Sequence, residues 1–512
     1  MFKDEISQRK KVILFTLLII LNVVLRIPSI PHEKGADSFF IHSLANSITA
    51  FGSANWWAHW LSVFGYYPYS YASATPFSLS GISQLTGIEM EITILLFCVI
   101  LGLFSIFSAY LLAGVFYDEF LFKYLMALFY SISPSIMFFS TWEISSRGPF
   151  IIFLPLCIYL VMKNLQHAKK GFLLVLICIF LFSTHHLAII LIPILVFFLT
   201  IKLGSKIKIF KKRCTYLNYV YIIGLLGVFS IPFFEPSMTG ITGSRYNWII
   251  YSIIISIRYI GPMLFFVFGG LAYMIFKKDK EVNVWYFLVL ILLFVPFIYD
   301  QTYGIYIVQL FLVLPLTVGF RNVLLKSIKS PKLIGIFIIA VLLSSIMFSG
   351  YYNHFRTGKY KEFWYMDEET YTNGEWIDHN INKDKRVLFS SENYYKVRSI
   401  ALQQNGSSII IGGPEGLSYG FINKSSIKNL EKVPITDSYF YSESPYRMTE
   451  KDIYRSINWY LSNKDISTIK EVYDLNYMVQ STSYKAPINY HTTEVNKICS
   501  NGILEIYDLS NM

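Results

Sequence analysis

Charged residues are scarce in this chain of 512 residues. Asp, Glu, Lys and Arg make up 15%, against 54% apolar and 18% aromatic residues. This composition excludes an ordinary soluble domain of this length and is typical of a membrane protein. Cysteine is also rare, with five scattered residues and neither a CxxC motif nor metal-ligand spacing. We therefore expect no structural disulfide.

The net charge of +11 does not indicate a nucleic-acid partner. From residue 351 onward, 18 basic residues are balanced by 20 acidic ones, so the positive excess belongs to the first 350 residues. We expect these basic loops to face the anionic head groups of a lipid bilayer, and we expect no nucleic-acid binding.

Eleven apolar runs are long enough, or nearly so, to cross a hydrocarbon core of about 30 Å. The predicted spans are 12–27, 90–116, 120–140, 149–164, 171–186, 187–203, 217–235, 249–276, 284–300, 303–320 and 333–351. The first is predicted to be a retained span, because Arg26 and Pro28 follow it instead of a small-residue cleavage site. Between 171 and 203 the two short spans are separated only by Thr184, His185 and His186. A single long helix there would place every later loop on the opposite side of the membrane.

The distribution of basic residues predicts the orientation. With the N-terminus inside, 21 of the Lys and Arg residues in the first 350 positions lie on the inner face and five on the outer face. The sequence therefore predicts a multi-pass protein of the cell membrane, with a cytoplasmic N-terminus and an extracytoplasmic tail. The five outer basic residues share their face with acidic residues and two histidines, which suggests a site; they are Arg26, Lys34, Arg147, Arg245 and Arg258.

The first outer loop, 28–89, is far longer than a connector and rich in aromatic residues. These are Trp56, Trp57, Trp60, Tyr66, Tyr67, Tyr69 and Tyr71. This density is typical of helices that lie in the membrane interface, where a ring buries its face and keeps a polar edge in water. An aromatic belt with no role beyond anchoring explains it equally well.

The predicted domains are a multi-span membrane domain, 1–351, and a soluble α/β domain, 352–512. In the second, RVLFSS, SSIIIGG, DLNYMVQ and ILEIYDL predict strands, whereas TNGEWIDHNI and DIYRSINWYLSN predict helices. The GGPEG loop near Gly412 lacks the spacing of a nucleotide-binding fingerprint and is interpreted as a turn. Sequons at Asn405 and Asn423 are compatible with an outside location.

Three segments resemble a known superfamily. EKGADSFFIHSLANSI and GYYPYSYASATPFSLSGISQLTG in the first outer loop, and FSTWEISSRGPFIIFLPLCIYL around the second, are similar to the C-type membrane glycosyltransferases that use lipid phosphosugars. That superfamily includes oligosaccharyltransferase catalytic subunits and protein mannosyltransferases. The chain has FWYMDEE after its last span instead of a WWDYG-type signature, and a lone Glu143 instead of a paired acidic motif. The resemblance therefore favours transfer of a single sugar over transfer of a whole glycan to an Asn sequon.

The resemblance implies a donor sugar on a polyprenyl phosphate and a glycan, lipid or protein acceptor. Asp37 occupies the position where the superfamily keeps its catalytic acidic residue, shortly after the first span, and Glu33 is its competitor. Such a carboxylate can deprotonate an acceptor hydroxyl or hold a metal. Glu143 is the candidate second acidic residue, and a divalent cation, Mg²⁺ or Mn²⁺, held by Asp37 and Glu143 is one hypothesis.

Positive groups near the site would offset the charge of the phosphate. Arg245, on a Gly-containing loop, is the preferred candidate for phosphate binding, with Arg147, His185 and His186 as further candidates. Arg147 also follows Glu143 at a spacing that permits an ion pair on a helical turn. Two other function classes stay open: a flippase or transporter of lipid-linked sugars, and a non-catalytic membrane scaffold in surface glycan assembly.

Overall fold

Residues 6–54 contain two helices joined by a short polar segment. The computed structural model describes residues 6–54, 60–66, 71–163, 166–204, 215–235, 246–278, 280–298, 304–326, 331–359, 365–382, 385–389, 394–401, 467, 470, 475–481 and 495–512. Helix α1 spans Gln8–Val24 and α2 spans Ala36–Phe51. The rest of the first outer loop forms a 3₁₀ turn at Trp60–Val63 and α3 at Ala74–Thr86.

Each of the eleven apolar runs contains helix. The helices that follow α3 are α4 (Met90–Ala113), α5 (Phe120–Ser131), α6 (Pro134–Phe138), α7 (Arg147–Met162), α8 (His167–Thr184), α9 (Leu191–Gly204), α10 (Thr215–Phe234), α11 (Asn247–Ile260), α12 (Phe265–Phe276), α13 (Val282–Phe294), α14 (Gly304–Lys326) and α15 (Pro331–Lys359). Short 3₁₀ turns lie at His186–Ile190, Pro262–Leu264 and Val295–Ile298. The main core contains buried residues of α4, α5 and α7, such as Leu101, Met126 and Leu154.

Length and composition identify the helices that can cross a membrane. Four helices of the described residues are long and apolar enough, namely Met90–Ala113, His186–Gly204, Tyr216–Phe234 and Gly335–His354. A fifth is counted if Asn247–Ile260 and Pro262–Phe276 form one bent span. The chain is therefore an α-helical polytopic membrane protein, and eleven spans stay a prediction.

Two predicted runs are interrupted at prolines. Within 249–276 the helix axis bends by 115° between α11 and α12. The cause is Gly261, whose φ of +93° is a conformation open to glycine, followed by Pro262, which disfavours helix in the residue before it. Within 120–140, α5 ends at Ser131 and α6 begins at Pro134. The predicted spans 171–186 and 187–203 form separate helices, because His185 between them has an extended backbone with a φ of −159°.

The described part of the tail contains two helices and a mixed sheet. The helices are α16 (Glu368–Asn380) and α17 (Tyr394–Ala401), and the strands are β1 (Val387–Phe389), β2 (Tyr477–Ser481), β3 (Asn496–Ser500) and β4 (Leu504–Asp508). The strand order is β1-β2-β4-β3. β1 pairs with β2 in parallel, and β4 pairs antiparallel with both β2 and β3.

The sequence anticipated β1, β2, β4 and α16, but neither β3 nor α17. β3 was missed because most of its side chains are exposed, and it therefore lacks a buried apolar face. The segments SSIIIGG and DIYRSINWYLSN, the GGPEG loop and both sequons lie outside the described residues. The predicted domain boundary at 351/352 falls inside α15, which continues to Lys359.

The sheet shares a hydrophobic core with the first outer loop. Leu44 and Ile48 of α2 pack in one cluster with Ile377 of α16, Val397 of α17 and Ile506 of β4. The tail and the first outer loop are therefore joined by apolar packing.

Candidate active site

The segment before α2 is held between the second outer loop and the start of the tail. The backbone N–H of Lys34 donates to the carbonyl of Trp142 at 3.1 Å. The backbone of Lys34 also forms an isolated antiparallel β-bridge with the backbone of Tyr365. The N–H of Met366 donates to the carbonyl of Glu33 at 3.0 Å. Three chain segments that are distant in sequence therefore meet just before the first turn of α2, which contains Asp37.

Gly35 fits this segment because it has no side chain. Its φ is +96°, and a Cβ placed on it would lie 2.6 Å from Cγ of Glu143 and 2.7 Å from Cδ. A Cβ here would force the buried side chain of Glu143 to move, so this close approach of the two loops and the positive φ both favour glycine. Gly35 is the N-cap of α2 and puts Asp37 in its first turn, where the helix dipole favours a negative charge.

Asp37 is the carboxylate of this group that solvent can reach, with a side chain that is 47% exposed. Its Oδ2 accepts a hydrogen bond from Oγ of Ser145 at 3.1 Å and lies 3.6 Å from Nη2 of Arg147. Both partners come from the second outer loop or the first residue of α7. The carboxylate is therefore oriented from one side and open on the other.

Glu33, the competitor of Asp37, has a different environment. It is fully buried, its Oε1 lies 2.6 Å from Nδ1 of His42, and its Oε2 accepts from Oγ of Ser38 at 3.1 Å. The same Ser38 oxygen accepts from the N–H of Ile144 at 3.1 Å. Glu33 thus links α2 to the second outer loop, and its hydrogen bonds suit a structural role.

Glu143 and Arg147 are arranged differently from the predicted ion pair on a helical turn. Glu143 is buried against Gly35, and the chain from Glu143 to Ser145 is not helical, since α7 begins only at Arg147. Arg147 instead lies beside Asp37. The structure therefore brings Asp37, Glu143 and Arg147 to one pair of neighbouring loops, although 106 positions separate the two acidic residues.

The rings of His185 and His186 contact each other where α8 ends, with centroids 4.2 Å apart and planes tilted by 35°. Nδ1 of His185 accepts from the N–H of Leu187 at 3.0 Å, so the neutral ring carries its proton on Nε2. The positive charge of Arg147 lies close enough to interact with both rings. These histidines therefore belong to the same polar neighbourhood as Asp37.

The other outer basic residues have separate surroundings. Arg26 is fully buried and donates to Oγ of Ser140, to Asn22 and to the carbonyl of Ser131. Lys34, which could have paired with Glu33, donates to Oδ1 of Asn353 at 3.2 Å. Arg258 lies over the rings of Tyr259 and Tyr352. Arg245 lies outside the described residues.

Two described aromatics of the first outer loop, Tyr66 and Tyr71, reach this site, and the hydroxyl of Tyr66 donates to the carbonyl of His186 at 2.8 Å. Tyr71 contacts the second outer loop. The hydroxyl of Tyr71 donates to Oγ of Ser146 at 3.2 Å, and burial together with the charge of Asp37 raises the pKa of Tyr71 above the ordinary value. Its phenol therefore stays protonated. Trp60, in contrast, is 65% exposed in its 3₁₀ turn. Trp56, Trp57, Tyr67 and Tyr69 lie outside the described residues.

Sequence reasoning missed a second cluster that joins the loop to the tail. Nδ1 of His32 lies 3.3 Å from Oε1 of Glu91, its Nε2 lies 3.1 Å from Oε2 of Glu368, and its ring stacks on Tyr371. Burial opposes protonation, but the hydrogen bonds and charges of the two carboxylates raise the pKa of His32. The nearest signal was Glu91, an acidic residue within a predicted span, which is costly unless it has a partner.

The predicted divalent cation stays a hypothesis. Within the described ranges, no three His, Cys, Asp or Glu side chains form a group that could hold a metal ion. Asp37 and Glu143 would therefore need water or substrate oxygens to complete the six ligands that Mg²⁺ takes.

Neither a protein-family model nor a curated protein matches the chain in sequence. Solved structures do match its fold. The oligosaccharyltransferase of Archaeoglobus fulgidus in the apo form aligns with a TM-score of 0.56 and 11% identity, over 93% of this chain and 70% of that one. ArnT from Cupriavidus metallidurans bound to undecaprenyl phosphate aligns with a TM-score of 0.56 and 11% identity, over 98% of both chains.

The arabinofuranosyltransferase AftD from Mycobacteria aligns with a TM-score of 0.54 and 10% identity, over 99% of this chain and 42% of that one. All three are membrane glycosyltransferases of the C-type superfamily, and this chain has the fold that they share. At these identities the likeness concerns the fold, and the site has to be argued from the residues of this chain.

Proposed function

We propose that this protein is a membrane glycosyltransferase that moves a sugar from a polyprenyl-phosphate carrier to an acceptor on the outer face of the membrane. One observation carries the proposal: Asp37 is a half-exposed carboxylate oriented by Ser145 and Arg147 on a C-type glycosyltransferase fold. The undecaprenyl phosphate bound to ArnT supports a polyprenyl phosphate as the leaving group.

In the proposed reaction, a hydroxyl oxygen of the acceptor attacks the anomeric carbon of the donor sugar. The bond between that carbon and the phosphate oxygen breaks, and its electron pair stays on the phosphate. The acceptor proton passes to the carboxylate of Asp37. Because both contacts of Asp37 engage Oδ2, we assign Oδ1 to receive the proton.

The departing phosphate needs positive groups, since its charge develops near the low-dielectric edge of the bilayer. Arg147 is within reach of the reacting carboxylate and can form two parallel hydrogen bonds to a phosphate. His185 and His186 would donate further hydrogen bonds from the end of α8. Arg245 stays a proposed phosphate contact from the loop before α11.

Glu143 is proposed to support Asp37 from the second loop. Its burial against Gly35 fixes the spacing between the two loops. If a divalent cation takes part, Asp37 and Glu143 would hold it, and it would offset the phosphate charge. The acceptor is a glycan, lipid or protein hydroxyl.

A purified protein tests the function class directly. The assay uses sealed liposomes with polyprenyl phosphates that carry a labelled hexose or pentose, and membranes of cells lacking the protein serve as the acceptor source. We expect label to enter an acceptor and free polyprenyl phosphate to form. Asp37→Asn should lower transfer by about 10²–10⁴-fold, whereas Glu281→Gln, at an exposed position before α13, should leave it unchanged.

The competing classes give different results in the same assay. A flippase would move the intact donor between leaflets without cleaving it, equally well with Asp37→Asn. A scaffold would neither cleave nor move the donor. Either outcome would overturn the proposal.

A further inference from the structure

A groove of about 580 Å³ lies between α1 and the junction of α4 with α5. Its volume is within the range of about 300–1,000 Å³ that is usual for ligand pockets. One wall is the face of α1 that carries Lys11, Phe15 and Ile19. The opposite wall is formed by Tyr110 at the end of α4 and Lys123 in α5.

This groove is far from the candidate active site. The first turn of α4 holds Glu91, which accepts from the N–H of Glu33, and the last turn holds Tyr110 in the groove wall. At 1.5 Å per residue, the helix between them spans about 28 Å, close to the thickness of a bilayer core. The groove therefore lies at the opposite membrane edge.

The groove is polar at one end and apolar along its length. Nζ of Lys11 lies 5.9 Å above the ring of Phe120, and Nζ of Lys123 lies 5.2 Å from the ring centroid of Tyr110. These cation–π contacts hold both ammonium groups at the groove. Phe15 packs edge-on against Tyr110 at 5.3 Å and begins the apolar part.

The groove also opens toward lipid. Val12 lines it and is 56% exposed, and the neighbouring apolar residues Leu17 and Ile20 of α1 are more than half exposed. In a membrane such side chains face acyl chains. A soluble peptide or a free phosphate would not cover this apolar part. A lipid would place its head group at the polar end and an acyl chain along the apolar part.

The positive charge of the groove favours anionic lipids over neutral ones. Lys11 and Lys123 meet a single acidic residue in the lining, Asp118, whose Oδ1 lies 2.7 Å from Nζ of Lys123. Arg9 and Lys10 on the preceding turn add positive charge at the same membrane edge. Such a cluster next to a span attracts anionic head groups.

We propose that this groove binds an anionic phospholipid of the leaflet opposite the active site. Its phosphate lies between Lys11 and Lys123, and one acyl chain follows Val12, Phe15 and Ile19. Because α1 leads directly into the loop that carries Asp37, the bound lipid holds the helix that precedes the active site. The lipid stabilises the folded bundle by mass action, since the unfolded chain has no such groove.

Native mass spectrometry of the full-length protein in detergent tests this proposal. The probes are phosphatidylglycerol and phosphatidylcholine with identical acyl chains. We expect the wild type to retain phosphatidylglycerol in preference, and Lys11→Gln with Lys123→Gln to lower its affinity by about tenfold. Lys169→Gln with Lys278→Gln removes the same charge from exposed positions outside the groove and should change affinity by less than about twofold.

A gain-of-binding variant completes the test. Asp118→Asn removes the carboxylate that competes for Lys123, so affinity for phosphatidylglycerol should rise by a few-fold. The proposal is overturned if the wild type binds both lipids equally, if the groove variant keeps wild-type affinity, or if both double variants lose affinity equally. The last result would indicate general surface attraction.

Discussion

Replacing Gly35 by alanine tests the packing that forms the site. The added methyl group meets Cγ and Cδ of Glu143, and the backbone at Gly35 has a φ of +96° and a ψ of 129°. Backbone strain of this kind costs about 1–3 kcal/mol in a non-glycine residue. Overpacking against Glu143 adds about 1–3 kcal/mol. We therefore expect Gly35→Ala to lower the free energy of unfolding by about 2–6 kcal/mol.

Gly52 provides a matched control at the other end of the same helix. It has a φ of +70°, and no atom lies within 4 Å of a Cβ placed on it. Gly52→Ala should therefore cost about 1–2 kcal/mol, from backbone strain alone. The steric part at Gly35 is isolated by repeating Gly35→Ala in a Glu143→Ala background, which removes the atoms that collide with the methyl group.

The assay is chemical unfolding in detergent of the four proteins of this cycle, followed by circular dichroism. We expect a coupling energy of about 1–3 kcal/mol between Gly35→Ala and Glu143→Ala. Sugar transfer by Gly35→Ala should also fall, because a displacement of Asp37 by about 1 Å can cost about 100-fold in rate. An equal cost of Gly35→Ala in both backgrounds would refute the reasoning, since it would place Glu143 away from Gly35.

Three further predictions concern pH, phosphate binding and orientation. The pKa of His32 is raised in the folded protein, so its ion pairs with Glu91 and Glu368 stabilise the folded state. This stabilisation is complete below the unfolded pKa of about 6.5 and is lost as the pH rises through the folded pKa. The destabilisation caused by His32→Gln, measured by thermal unfolding, should therefore be larger at acidic than at alkaline pH, and a pH-independent difference would contradict these ion pairs. Arg245→Gln should remove about 2–4 kcal/mol of transition-state stabilisation, measured as kcat/KM for a verified lipid-phosphate donor, and unchanged turnover would exclude that role. In a Cys499→Ser background, an impermeant thiol reagent should label Tyr360→Cys in intact cells, whereas labelling only after lysis would reverse the predicted orientation.

Much of the bundle could be predicted from the sequence because bilayers impose simple rules. Long apolar runs must form helices in lipid, where backbone groups have no water to bond with. The breaks were harder to foresee. The bend at Gly261 depends on a single positive φ before Pro262, which hydropathy does not encode. The missed β3 has too few buried positions to show a strand pattern.

The sequence indicated which residues were candidates for the site, but not which of them contact each other. Asp37 and Arg147 were separate candidates on two loops, and they meet because contacts such as the hydrogen bonds from Lys34 to Trp142 and from Ile144 to Ser38 join these loops. Ser145 gave no signal, because a serine in a polar loop is ordinary. The clearest structural distinction, burial of Glu33 and exposure of Asp37, arises from folding of the first outer loop against the second.

The most direct test of the central claim separates donor binding from turnover in Asp37→Asn. Single-turnover transfer from a verified polyprenyl-phosphate sugar would be measured beside the donor Kd of the same preparation. If Asp37 is the general base, the rate should fall by about 10²–10⁴-fold while the Kd stays within about threefold of the wild type. A variant that transfers sugar at the wild-type rate, or that loses turnover only because it no longer binds donor, would contradict the account.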